Sequence, residues 1–114
     1  MKRLTDDPDI WFCPCCKAAP DPILYGKIEQ LRNKGYILRI TSAKRCSDHN
    51  RQVGGSQRSQ HLKGLAADIV LSPHCSGLSF LRDAYDLGAR GIGIYDRHIH
   101  IDFRNQRYLS FWTG

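Results

Sequence analysis

The chain has 114 residues, a formal net charge of +6 and 25% charged residues. This length is enough for one domain with a modest core, and we expect a single domain over residues 1–114. No apolar run approaches the ~20 residues that span a bilayer, and the N-terminus lacks the apolar segment of a secretory signal. These features exclude a membrane-spanning protein and predict synthesis in the cytoplasm. The basic residues are scattered and no nucleic-acid-binding motif is present, so the charge does not favour nucleic acid as the partner.

The first predicted elements are a helix, a strand and a second, shorter helix. Asp21 and Pro22 form a helix start, and Asn33 to Gly35 ends that helix. The chain should continue as a strand over 36–41 and as a short helix from Ser47 to Val53.

The second half of the chain predicts a buried strand, a helix and a hairpin. The buried strand covers 65–71, and the next helix begins after Ser76, with its apolar positions at Leu78, Leu81, Tyr85 and Leu87. Segments 91–95 and 98–103 should pair as a β-hairpin, and the aromatic tail 108–112 should cover part of the core. The sequence therefore predicts an α+β fold with a small antiparallel sheet and helices packed against it.

Five cysteines are present, and four of them concern one region: Cys13, Cys15, Cys16 and Cys46. An odd count without an export signal argues against a disulfide framework. The run Cys-x-Cys-Cys could contribute to a structural zinc site or form a redox-sensitive clasp with Cys46. Because it lacks the usual zinc-finger arrangement, the sequence favours small buried thiols.

A carboxylate in the buried strand is the first sign of a functional site. Asp68 lies among small and apolar residues, where an ionised carboxylate costs several kcal/mol unless it is paired or bound to a cation. His61 precedes it by seven residues, and Gly64 between them allows a tight turn. The two side chains could therefore share a metal ion.

A second polar cluster follows from strand alternation. His98, His100 and Asp102 fall on one face of the last predicted strand, with Ile99, Ile101 and Phe103 on the other. Two imidazoles and a carboxylate are typical ligands of a catalytic zinc, which takes three protein ligands and keeps a fourth position open.

Together these residues resemble the motifs of a known family. Ser59-x-His61-x-x-Gly64-x-Ala66-x-Asp68 is similar to the SxHxxGxAxD signature of the M15 zinc peptidases, which include the D-Ala-D-Ala carboxypeptidases. His98-Ile99-His100 resembles the HxH strand of the wider superfamily, shared with lysostaphin-type endopeptidases. The segment 40–45 resembles the ITSGYR stretch, from which Ala43 and Lys44 depart. The likeness runs from about Phe12 to the C-terminus. Within the family, the chain most resembles the small single-domain members found in phages and prophages.

This resemblance implies a set of roles. The three ligands of Zn²⁺ would be His61, Asp68 and His100. His98 would stabilise an oxyanion or transfer protons. Arg45 would hold a substrate carboxylate, and Ser59 and Gln60 would line the cleft. Asp102 is either a rival ligand or, as we favour, the group that orients a ligand imidazole.

The general base is the point at which the chain departs from the family. An acidic residue commonly stands three positions before the last zinc histidine, and here that position is Arg97. Asp96, one residue further back, is the predicted base, with His98 and Asp102 as alternatives.

The expected function is that of a zinc peptidase that cleaves peptidoglycan stem peptides, as a D-Ala-D-Ala carboxypeptidase or a cell-wall endopeptidase, in phage lysis or a prophage. The fold would be hedgehog/D-Ala-D-Ala-peptidase-like, and the protein a monomer that reaches the cell wall by another export route. Two alternatives are a zinc-containing peptidoglycan-binding module with impaired catalysis and a basic nucleic-acid-binding domain.

Overall fold

The structure is a computed structural model, and it describes residues 10–56 and 59–114. Within these ranges the chain forms five strands, three α-helices and one short 3₁₀ helix. In chain order they are α1 Pro22–Asn33, β1 Leu38–Ser42, α2 Ser47–Gln52, the 3₁₀ helix Gln60–Lys63, β2 Ala66–Leu71, α3 Gly77–Asp86, β3 Gly91–Ile94, β4 Ile99–Asp102 and β5 Ser110–Thr113. No helix in the described ranges is long and apolar enough to cross a membrane.

The strands form one sheet in the order β1-β2-β4-β3-β5. The pairs β1–β2, β2–β4 and β3–β4 are antiparallel, and β3–β5 is parallel. The predicted α+β class and the hairpin of β3 and β4 are confirmed. The prediction for the tail is wrong in detail, because residues 110–113 join the edge of the sheet as β5 and Phe111 is exposed.

Helix α1 forms for the reasons that its sequence gives. The Asp21 side chain accepts a hydrogen bond from the Ile23 backbone N–H at 2.9 Å, and Pro22 occupies the first helical position. Leu24, Ile28 and Leu31 recur at helical spacing and are buried, as predicted.

Helix α3 is capped by Ser76 and packs Leu81 and Leu87 against the core as predicted, but Leu78 and Tyr85 are not buried. Phe80 and Ala84 are fully buried, whereas Leu78 is 80% exposed and Tyr85 40% exposed. The largest ring decides the helix orientation, since burying Phe80 removes more apolar surface from water than burying Leu78 would. Tyr36 packs edge-on against Phe80, with the ring centroids 5.3 Å apart.

The core lies between the helices and one face of the sheet. The buried residues of this core are Leu24, Ile28, Leu31, Phe80 and Ala84 of the helices and Ile40, Ile69, Ile92 and Ile101 of the strands. Because successive side chains of a strand point to opposite faces, Asp68 of β2 and His100 of β4 lie on the face of the sheet that is turned away from this core.

Candidate metal centre

The site is built on one row of residues that crosses the sheet. Asp68 of β2 pairs directly with His100 of β4, and His100 pairs with Gly93 of β3. Gly93 in turn lies opposite Trp112 of β5. Directly opposed residues of neighbouring strands share a face, so the register alone brings the Asp68 carboxylate and the His100 imidazole together.

His61 reaches the same point from the 3₁₀ helix. Its backbone N–H donates to Ser59 Oγ at 3.2 Å, and the chain then reverses at Gly64, whose φ is 72°. The predicted tight turn at Gly64 is confirmed. The His61 side chain is buried, with Nδ1 2.5 Å from the Ala43 carbonyl oxygen, which can only accept. Nδ1 therefore carries the proton, and the lone pair of Nε2 faces Asp68 Oδ1 at 3.2 Å.

His100 is fixed in the complementary way. Its Nε2 donates to Asp102 Oδ2 at 2.7 Å, which leaves the Nδ1 lone pair facing Asp68 Oδ1 at 3.2 Å. Asp102 is fully buried and also accepts from Arg104 Nε at 2.7 Å and Arg104 Nη2 at 2.8 Å. These contacts place Asp102 where it can orient the His100 imidazole, and the orienting role stays a prediction. Burial acts to raise the pKa of Asp102, but hydrogen bonds from Arg104 and His100 lower it to about 2.

The donor set fits a zinc ion. One nitrogen of His61, one nitrogen of His100 and one oxygen of Asp68 all lie within 4.8 Å of one another. With neutral imidazoles, three lone pairs point at one small region, and this arrangement is unfavourable without a cation between them. In zinc sites the ligand imidazoles typically donate their outer N–H to a carbonyl or a carboxylate, as these two imidazoles do.

The electrostatics of the cluster point the same way. Burial acts to raise the pKa of Asp68, but in the absence of a metal ion the rings of His100 and His61 can each turn an N–H toward its carboxylate, and these hydrogen bonds hold the pKa well below its usual range. Burial acts to lower the pKa of His100, but hydrogen bonds to Asp102 and Asp68 raise it overall. The pocket thus keeps the carboxylate ionised and attracts positive charge.

Two glycines of β3 make room for these side chains. A Cβ atom at Gly91 would lie 2.1 Å from Asp102 Oδ2, and one at Gly93 would lie 2.4 Å from Trp112 Nε1. Any larger residue at either position would displace a group of the site.

The metal centre opens into a cleft of about 540 Å³. Four of the predicted site residues line it beside the metal ligands: Arg45, Ser59, Gln60 and His98. Asp96 does not line this cleft. It is an exposed residue of the turn between β3 and β4, which is closed by a hydrogen bond from the Tyr95 N–H to the His98 carbonyl. The structure therefore brings together every predicted site residue except Asp96, whose role as the base stays a prediction.

His98 stands at the wall of the cleft. Its Nε2 is 3.9 Å from Asp68 Oδ1, and a third of its side chain is exposed. The ring of Tyr95 stacks on it at 4.5 Å, and Trp112 Nε1 donates to the Tyr95 hydroxyl at 2.7 Å. This chain of rings fixes the orientation of the histidine.

Arg45 is held on the other side of the metal ligands. Its Nη2 is 3.4 Å from Asp68 Oδ2, and its Nη1 donates to Asn50 Oδ1 at 3.3 Å. Among the described residues, Arg45 Nε and the nearby Gln60 Oε1 are buried and have no hydrogen-bond partner. A buried polar atom without a partner costs about 1–3 kcal/mol, so both atoms offer a contact to a ligand in the cleft.

Sequence reasoning missed four residues of the site: Asn50, Tyr95, Arg104 and Trp112. Asn50 is 3% exposed and ties Arg45 to the Ser56 carbonyl, but in the sequence it reads as one polar residue of a short polar helix. The alternating glycines of β3 were an available signal for Trp112, because glycine inside a strand marks the close approach of another group.

A buried His-Asp-His donor set in an open cleft, with an arginine beside it, is typical of metal-dependent hydrolases. The chain belongs to the M15 peptidase family: the family model described as Peptidase M15 matches residues 11–102. Comparison with curated proteins gave no match. Membership supports a metallopeptidase, for which zinc is the typical metal, and the matched range contains all three donor residues.

Proposed function

We propose that the protein is a zinc peptidase that cleaves peptidoglycan stem peptides, as a D-Ala-D-Ala carboxypeptidase or a related cell-wall endopeptidase. The observation that carries this proposal is the position of Arg45, whose guanidinium lines the same cleft as the metal ligands and has a buried Nε without a partner among the described residues. A guanidinium binds a carboxylate through two parallel hydrogen bonds. A free peptide C-terminus is therefore the substrate group that the cleft fits best.

Each side chain of the cleft then has a distinct task. His61, Asp68 and His100 would hold the zinc, which when bound supplies a Lewis acid that polarises a carbonyl and activates water. Arg45 would fix the substrate carboxylate, and Gln60 and Ser59 would contact the peptide. Asn50 keeps Arg45 in place through Oδ1 and itself donates to the Ser56 carbonyl at 2.8 Å.

Proton transfer has two candidates. His98 faces the cleft with its Nε2 3.9 Å from Asp68 Oδ1, so it is suited to stabilise the oxyanion or to protonate the leaving amine. Asp96 remains the proposed general base, and it would have to turn from its exposed position toward the cleft when substrate binds.

A second candidate function is a zinc-containing peptidoglycan-binding module with impaired catalysis. The exposed position of Asp96, together with Arg97 where the family commonly has an acidic residue, favours it. The remaining proposals concern biological setting: a single domain over 1–114, a monomer, and a role in cell-wall degradation during phage lysis or in a prophage, with an export route of its own.

The deciding experiment is mass analysis of muropeptides incubated with the zinc-loaded protein. Loss of one terminal D-alanine identifies the carboxypeptidase, and cleavage within the stem identifies the endopeptidase. Amidation of the substrate C-terminus should abolish the carboxypeptidase reaction, because it removes the charge that Arg45 recognises. Binding of muropeptides without any cleavage would replace the peptidase proposal by the binding module.

Two variants assign the proton transfer. We expect Asp96→Asn to keep the zinc and lower turnover on the order of a hundredfold or more, the scale of general-base catalysis. Full activity of Asp96→Asn with loss of activity in His98→Ala, zinc being retained in both, would pass the base role to His98.

A further inference from the structure

A second cluster of metal-binding side chains lies outside the cleft. The Sγ atoms of Cys13, Cys16 and Cys46 all lie within 4.8 Å of one another. Cys15 lies between Cys13 and Cys16 in the same turn and is exposed, so it is the candidate for a fourth ligand. The expectation of small buried thiols is wrong for this region, because Cys13 is buried but Cys15 and Cys16 are exposed.

The backbone around the first two cysteines forms a tight turn. The Lys17 N–H donates to the Cys13 carbonyl at 2.8 Å, and the Cys13 N–H donates to the Ala18 carbonyl at 2.9 Å. Lys17 completes the reversal at a φ of 63°, a conformation in which a residue with a side chain is uncommon. Cys13 and Cys16 are separated by two residues, a separation that occurs in structural zinc sites.

Backbone N–H groups point at the sulfur of Cys13. The Cys46 N–H donates to Cys13 Sγ at 3.2 Å across 33 residues of chain. Burial acts to raise the pKa of Cys13, but backbone hydrogen bonds from Cys16, Cys46 and Cys15 lower it to about 7. Such hydrogen bonds stabilise a thiolate, which is the form of cysteine that binds metals.

We propose that Cys13, Cys16 and Cys46, with Cys15 as the fourth ligand, hold a structural Zn²⁺ ion that is separate from the metal centre of the cleft. Thiolates favour a soft or borderline metal, and four sulfur ligands complete the tetrahedron, so no position is left for a substrate or water. Binding replaces four S–H protons by one metal ion, and the protons go to solvent.

This ion would support the substrate side of the cleft. Cys46 follows Arg45 directly and is the N-terminal cap of α2, on which Asn50 holds the Arg45 guanidinium. The Lys44 N–H also donates to the Trp11 carbonyl at 3.4 Å. Cross-linking residues 13–16 to Cys46 would therefore fix the loop that carries Arg45 against the segment that precedes α1.

The test measures the metal bound to the full chain and distinguishes the cleft site from the cysteine site by variants of each. The protein is purified with a thiol reductant and zinc, desalted, and analysed for bound metal and for free thiols. We expect His61→Ala to lose the zinc of the cleft and to retain one zinc equivalent per chain. Cys16→Ser and Cys46→Ser should lose that other equivalent and melt at a lower temperature. Cys75→Ser is the matched control, because the Cys75 sulfur accepts from the Ile37 N–H elsewhere in the fold and should not change the zinc content.

Cobalt gives a second readout, and its main result requires no cysteine variant. In His61→Ala loaded with Co²⁺, sulfur-to-cobalt charge-transfer bands should appear together with the strong visible bands of a tetrahedral site, and Cys15→Ser should weaken them. The absence of these bands, or His61→Ala protein without any zinc, would overturn the proposal whatever the activity of the cleft. A disulfide between cluster cysteines that persists in the presence of reductant would overturn it as well.

Discussion

Asp102 is a buried carboxylate behind the candidate metal ligand His100, and its contacts predict that it supports the metal centre. Asp102→Asn keeps the shape of the side chain and removes its charge. The wild-type carboxylate accepts from His100 Nε2, from Arg104 Nε and from Arg104 Nη2, all at 2.7–2.8 Å. An asparagine offers one acceptor oxygen, and its NH₂ group must face either the imidazole N–H or a guanidinium N–H.

The contacts set the expected size of the effect. At least one charge-assisted bond is lost and a second is weakened, each of roughly 1.5–3 kcal/mol. The side chain of Arg104 is 25% exposed and regains some water, so the lower end applies. We therefore expect the metal-free variant to lose about 2 kcal/mol of unfolding free energy. Because the tautomer of His100 is no longer fixed, zinc affinity should fall roughly 10–100-fold.

The assay is denaturant unfolding of the metal-free protein, followed by zinc competition against a chromogenic chelator. Asp86→Asn is the control, because it makes the same chemical change at an exposed position of α3 and should stay within about 0.5 kcal/mol of wild type. An Asp102→Asn protein with the stability and the zinc affinity of that control would refute the orienting role derived for Asp102.

Three further predictions test other contacts. Arg45→Lys should keep the zinc but lower kcat/KM at least tenfold on peptides with a free C-terminus, because lysine loses the paired hydrogen bonds. Burial and the hydrogen bond to Asp83 raise the pKa of Tyr36 to about 12, so the protonated hydroxyl stabilises the fold, and wild type loses this contribution between about pH 10 and 12. Tyr36→Phe should remove this pH-dependent loss, measured as unfolding free energy at several pH values. Gly93→Ala should cost about 1–3 kcal/mol, since the new Cβ would lie 2.4 Å from Trp112 Nε1.

Each of these three has a matched control or a contradicting result. Equal kcat/KM of Arg45→Lys and wild type would remove Arg45 from the binding of the carboxylate. If wild type and Tyr36→Phe lose stability in parallel above pH 10, the hydroxyl is not the cause. Gly26→Ala in α1 meets nothing within 4 Å and should stabilise the helix by about 0.5–1 kcal/mol, so a loss there equal to that of Gly93→Ala would contradict the steric argument.

The sequence by itself predicted most of the elements and the three candidate metal donors that the structure brings together. A carboxylate in an apolar strand requires a partner, and this requirement singled out Asp68 before any contact was known. The period-two alternation from His98 to Asp102 fixed which side chains share a face, because successive residues of a strand point to opposite sides. The apolar stripe of α1 was readable in the same way, and Leu24, Ile28 and Leu31 are buried as expected.

The tertiary structure determined how distant segments of the chain meet. Strand register placed Asp68 opposite His100, and the backbone carbonyl and carboxylate partners of the two histidines determine which imidazole nitrogens face Asp68. The burial of Leu78 was predicted wrongly because local periodicity does not distinguish it from Phe80, and the packing of α3 buries the larger ring of Phe80 instead. The parallel pairing of β5 with β3 and the contact of Cys46 with Cys13 join residues far apart in sequence. Local pattern carries no information on such contacts, since they form only when separate elements pack together.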